Sequence, residues 1–210
     1  MRRLFICLGL MLSLAACAVD HKFDSPAAVN SARFVSDEPP SITLYTVVSK
    51  RSGNGGHSGL LINGSERVLY DPAGSWYHPY VPEQNDLHYG ITERMRKFYI
   101  DYHARETWDV IEQKVYVSQA VADEVKRRAI AHGSAPKSYC ANAISGILDG
   151  VPGFETVHST FFPMKLSEEF GALPGVSYRL YHDNDPDNNH GVLMVQKDDP
   201  EAAALIAARN

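Results

Sequence analysis

Cysteine is scarce in this chain: three among 210 residues, Cys7, Cys17 and Cys140. No cysteine cluster and no His-Glu-x-x-His spacing is present to hold zinc, so neither a metal nor a cofactor is expected. Basic charge is not in excess either. Twenty Lys plus Arg face 25 Asp plus Glu, a formal net charge of -5, which argues against nucleic acid as a partner and against a basic membrane patch. The apolar run at residues 4–14 is too short to span a bilayer. What remains, 44% hydrophobic and 21% charged residues, is an ordinary globular balance over a length that suits one domain with a real core.

Met1-Arg2-Arg3 followed by that apolar run has the form of a secretory signal. It ends in Leu14-Ala15-Ala16-Cys17, which resembles the bacterial lipobox; the resemblance implies cleavage before Cys17 and a diacylglycerol on its sulfur. Ala18 implies, by the same resemblance, outer-membrane retention facing the periplasm. The expected layout is a signal peptide at residues 1–16, a lipidated tether at residues 17–40 and one domain at residues 41–210. Cleavage removes Cys7 and two arginines, so the mature surface is more acidic than the precursor's. Cys140 is then the sole free thiol in an oxidising compartment, either buried as a small hydrophobe or used as a nucleophile.

Along the chain, residues 42–49 (ITLYTVVS) are dense in β-branched and aromatic side chains and read as a strand, followed by a glycine-rich loop at residues 50–56. Residues 57–62 and 67–71 flank Asn63-Gly64-Ser65 as a hairpin. Residues 72–109 are broken by prolines, with room for a helix in 92–103. Residues 110–117 alternate as a strand, and Ser118 caps a helix through residue 132. Residues 160–175 read as a short helix between prolines, with its phenylalanines assigned to core or groove wall. Residues 176–181 and 191–196 form a closing hairpin, and residues 200–209 a terminal helix. The polar stretch 183–189 has the oxygen density of a calcium loop but lacks its glycine and glutamate, and reads as a solvated turn.

Residues 133–136 (GSAP) interrupt the chain, and residues 141–149 read as a helix closed by Gly150 and Pro152, so Cys140 falls in its first turn. Unpaired N–H groups and the helix dipole favour a thiolate there. A cysteine nucleophile needs a base, and nine histidines compete. His21 lies in the tether, His132 at a helix C-terminus, and His182 and His190 beside a polar loop. His78, His88 and His103 read as surface residues, and His158 has no orienting acid beside it. His57 stands at the mouth of a strand behind Gly53, Gly55 and Gly56, which permit close backbone approach. A three-residue loop at residues 63–65 pairs His57 with Asp71 on one face, where a carboxylate orients the imidazole. A two-residue Asn63-Gly64 loop instead sends Asp71 to the opposite face.

A glycine-led His57-Ser58-Gly59 opening a hairpin, with Cys140 at a helix start much later, resembles the circularly permuted branch of the NlpC-type papain-like cysteine hydrolases. The resemblance implies an α+β fold, with an antiparallel sheet packed against helices, in which Cys140 is the nucleophile, His57 the base and Asp71 the third residue. It also implies an envelope enzyme, with peptidoglycan stem peptides as amide substrates or lipids as ester substrates. The acyltransferases of that branch place a histidine near the third position and an asparagine before the cysteine. Asp71 and Tyr139 stand there in this chain, so the resemblance does not extend to lipid acyl transfer, and of the two envelope substrates the amide is favoured. The alternatives are a non-catalytic lipoprotein that binds cell-wall fragments or a protein partner, and a lipid ester hydrolase or acyltransferase.

Overall fold

The computed structural model describes residues 23–188. Residues 41–47 of strand β1 (Ser41–Ser49) are buried without interruption, whereas a strand with one wet face would alternate. β1 therefore has cover on both sides. It lies inside a seven-stranded antiparallel sheet with β2 (Gly55–Asn63), β3 (Arg67–Tyr70), β4 (Glu83–Gln84), β5 (Leu87–Tyr89), β6 (Trp108–Tyr116) and β7 (Ser177–Tyr181), in the order β4-β5-β3-β2-β1-β6-β7. Five helices among the described residues complete an α+β fold: α1 (Pro26–Ala32), α2 (Glu93–His103), α3 (Gln119–His132), α4 (Cys140–Leu148) and α5 (Pro163–Gly171). None is long and apolar enough to cross a membrane.

The pleat sorts the core into two layers. Ile42, Leu44, Leu60, Ile62 and Val68 pack with Val125 of α3, Ile144 of α4 and Phe170 of α5. Tyr45, Val47, Leu61, Leu69 and Val110 point the other way, onto Met95, Tyr99 and Ile100 of α2. Ser118 and Thr92 start their helices by accepting the N–H groups of Val121 and Met95 on their side-chain oxygens. Cys140 is the first residue of α4, and Ser138, two residues before it, holds φ at +69°.

Three expectations need amendment. The described part of the tether is packed on the domain rather than free. Ser25 caps α1, whose first position Pro26 suits, Asp24 exchanges hydrogen bonds with Glu83, and Arg67 N–H donates to Phe34 O at 2.9 Å. The proline-broken segment at residues 72–109 contains the β4–β5 hairpin, turned by Asn85 and Asp86, both at positive φ. The polar turn near residue 185 is anchored: Asp187 accepts from the Thr107 hydroxyl at 2.8 Å, and Asp185 O accepts from Glu106 N–H. The strand expected at residues 191–196 and the helix at 200–209 lie outside the described residues, as do Cys17 and the signal segment.

Candidate active site

Two departures from regular pairing deliver His57. β1 and β2 run in register down to Val47 opposite His57, but Val48 pairs with Gly55, so Gly56 is an extra residue and the strand bulges beside the histidine. A Cβ on Gly56 would come within 2.7 Å of the Trp108 ring, so the bulge needs glycine. On the other side, Asn63 pairs with Arg67 and Leu60 with Tyr70. The connection has three residues, as expected for the same-face alternative, but it is Gly64 to Glu66 rather than Asn63 to Ser65. Continuing this register sets Asp71 opposite Gly59, two positions from the expected partner, and His57 is its diagonal neighbour on the same face.

That diagonal closes into a hydrogen bond: His57 Nε2 lies 2.7 Å from Asp71 Oδ1. The same imidazole also hydrogen-bonds the Cys140 side chain. The three sequence-selected residues thus meet in the order Asp71, His57, Cys140. β3 stops pairing with β2 at Leu60, so the Ser58 N–H lies beyond the ladder and donates to the sulfur, as does the N–H of Ala141. Burial alone would raise the thiol pKa, yet His57 and these two donors lower it. Burial likewise disfavours a charged His57, but the Asp71 carboxylate and the Cys140 sulfur outweigh it and push the imidazole up to about 10. Asp71 is 2% exposed; its pKa is lowered, because His57 overcomes the cost of burial. These directions favour the charged form of each group, a thiolate–imidazolium pair backed by a carboxylate.

Two residues not selected from the sequence complete the cluster. Tyr99 Oη donates to Asp71 Oδ1 at 2.7 Å, and the His103 ring stacks on His57 with centroids 5.5 Å apart and planes 11° from parallel. Their spacing of four on α2 puts both on one helix face; that pattern was the available signal, masked by the irregular segment before it. His103 was expected at the surface. It is half-buried, burial brings its pKa down to about 4, and its Nδ1–H donates to Tyr99 O at 2.8 Å. His78 and His88, also expected at the surface, are buried against Trp76. Ring nitrogens of His57 and His103 and an oxygen of Asp71 lie within 4.8 Å of one another. The rings are nearly parallel, however, so their in-plane lone pairs do not converge on one ion, and the set suits proton handling better than metal binding.

A cleft of about 330 Å³ opens beside His57, lined also by Gly74, Ser75, Tyr102, His103 and Arg105. Cys140 does not line it and is 6% exposed. No protein-family model, curated protein or solved structure matches the chain.

Proposed function

We propose that this protein is an envelope-anchored cysteine hydrolase of the circularly permuted, NlpC-type papain-like kind, cleaving an amide bond, with peptidoglycan stem peptides as the substrate class. The observation that carries the reading is that the His57 imidazole bonds both the Asp71 carboxylate and the Cys140 side chain. In the first step the Cys140 thiolate attacks the carbonyl carbon and a C–S bond forms. The oxyanion is met by N–H donors at the start of α4. Imidazolium His57 then gives its proton to the amine nitrogen as the C–N bond breaks, leaving an acyl-enzyme. Water attacks this thioester, His57 takes the water proton, and the carboxylic acid product departs with regeneration of the thiolate. Lipid on Cys17, outside the described residues, holds the domain at the membrane; Cys17→Ser is expected to release it into the soluble periplasmic fraction.

Digestion of purified cell-wall peptides by the mature chain tests the reading, with mass spectrometry locating new termini. Cleavage that disappears in Cys140→Ala and His57→Ala supports it, and cleavage that survives in Cys140→Ala ends it. The burial of Cys140 favours a second reading, a lipoprotein that binds wall fragments without cutting them. Alkylation by iodoacetamide at mildly acidic pH separates the two. A catalytic thiolate reacts there and slows in His57→Ala, whereas a structural thiol reacts only near the free-thiol pKa of about 8.5.

A further inference from the structure

Asp71 and Cys140 approach His57 from separate stretches of chain, and each stretch is strained. Asp71 O accepts Gly74 N–H at 3.0 Å across a turn whose third residue, Ala73, holds φ at +57°. Pro136 O accepts Tyr139 N–H at 3.1 Å across a turn whose third residue, Ser138, holds φ at +69°. Type II turns reserve that position for glycine, and a side chain there costs about 1–2 kcal/mol. Neither turn is held by its own residues alone.

One side chain touches both stretches. The Asp86 carboxylate accepts Ala73 N–H and Ala135 N–H on the same oxygen, Oδ2, each at 2.9 Å. Its carbonyl accepts Asp71 N–H, also at 2.9 Å. Asp86 is 8% exposed and sits at the β4–β5 turn with φ at +65°, a conformation in which its side chain points back under the site rather than into solvent. Tyr70 Oη, donating to Gly133 O at 2.8 Å, fixes only the end of α3 and reaches neither turn.

We infer that Asp86 is a positioning residue: its carboxylate clamps the Asp71–Gly74 turn to the segment leading into Cys140, and so sets the distance at which His57 can bridge acid and thiol. The inference rests on the hydrolase reading of the site. A misplacement of 1 Å in such a constellation costs on the order of 10²-fold in rate.

The test uses the full mature chain and two substitutions. Asp86→Gly removes the carboxylate but suits the turn, because glycine takes positive φ freely and Asn-Gly is the preferred two-residue hairpin turn. Asp86→Asn keeps an oxygen at the clamp. The readouts are thiolate absorbance against pH and the iodoacetamide rate at mildly acidic pH, with a cooperative thermal melt to show that each variant folds. Asp86→Gly is expected to move the thiolate midpoint toward the free-thiol value and to slow alkylation at least about tenfold, while Asp86→Asn stays within about threefold of wild type. An Asp86→Gly protein that titrates and reacts like wild type overturns the clamp and leaves the hydrolase reading standing. A wild-type thiol that already titrates near 8.5 overturns the ion pair itself, and the clamp with it.

Discussion

Gly59 faces Asp71 across β2 and the end of β3, and its missing side chain is the space in which the Tyr99 hydroxyl reaches the Asp71 carboxylate. A Cβ at Gly59 would lie 2.1 Å from Tyr99 Oη and 3.4 Å from Asp71 Oδ1. Gly59→Ala should expel Tyr99 from its hydrogen bond, with α2 buried behind it and little room to retreat. Overpacking of this kind costs about 1–3 kcal/mol. The melting temperature should fall and alkylation of Cys140 at mildly acidic pH should slow. Tyr99→Phe in the same background removes the clashing oxygen and should recover part of the stability; no recovery would mean that the contact is not the cause.

Proton linkage gives the pair a recognisable stability profile. His57 binds its proton more tightly in the folded state, up to about 10 against 6.5, so its contribution is whole below pH 6.5 and is lost as pH climbs toward 10. Cys140 has the opposite sign: its folded pKa is below the ordinary 9.0, so its contribution grows with pH until the unfolded thiol also ionises. Where the folded thiol is ionised and the unfolded one is not, at pH just below 9.0, the Cys140 slope offsets that of His57. Wild-type stability should therefore decline less over that range than it does above 9.0. In Cys140→Ser the decline should begin near the ordinary histidine pKa. Denaturant melts across the pH range check this, and parallel profiles for the two proteins would contradict the ion pair.

Asp71→Asn probes the acid without removing bulk. The amide oxygen can keep a hydrogen bond to Tyr99, but the charge that holds the imidazolium is gone, so the His57 pKa should drop and the Cys140 pKa should rise. Loss of the equivalent charge in a Ser-His-Asp hydrolase costs about 10⁴ in turnover. The thiolate absorbance of Asp71→Asn at neutral pH should be largely lost while the fold survives. Tyr99→Phe, which leaves the charge, should cost far less.

The contrast between these residues and their neighbours shows what the sequence carries. Cys140 was legible because a breaker stretch and a helix periodicity fix its place at a helix start, and His57 because glycines crowd its strand entry. Asp71 was legible as a candidate, but neither its face nor its register was: a three-residue and a two-residue loop put it on opposite faces, and only the observed Asn63–Arg67 pairing decides between them. Tyr99, His103 and Asp86 were not legible. The spacing of Tyr99 and His103 shows a shared helix face, but their roles and that of Asp86 depend on how α2 and the β4–β5 hairpin dock onto the sheet, which no local pattern gives. The docking of residues 23–40 was hidden for the same reason, since backbone hydrogen bonds such as Arg67 N–H to Phe34 O leave no trace in residue type.

His103 offers the last check, because two explanations of its place predict different outcomes. If the neutral ring only supports His57 by stacking, His103→Phe should retain thiol reactivity within a few fold, since a flat apolar ring fills the same space against Tyr99 and Tyr102. If its cleft-side nitrogen orients water or substrate, His103→Phe should keep the iodoacetamide rate but lose turnover, as alkylation needs only the thiolate. His103→Lys should damage both. An ammonium beside the imidazolium repels it and competes for Asp71, so the His57 pKa falls and the thiol loses its partner. Alkylation and peptide turnover measured on the two variants side by side assign the role, and an unimpaired His103→Lys enzyme would show that the stacked pair is not electrostatically coupled at all.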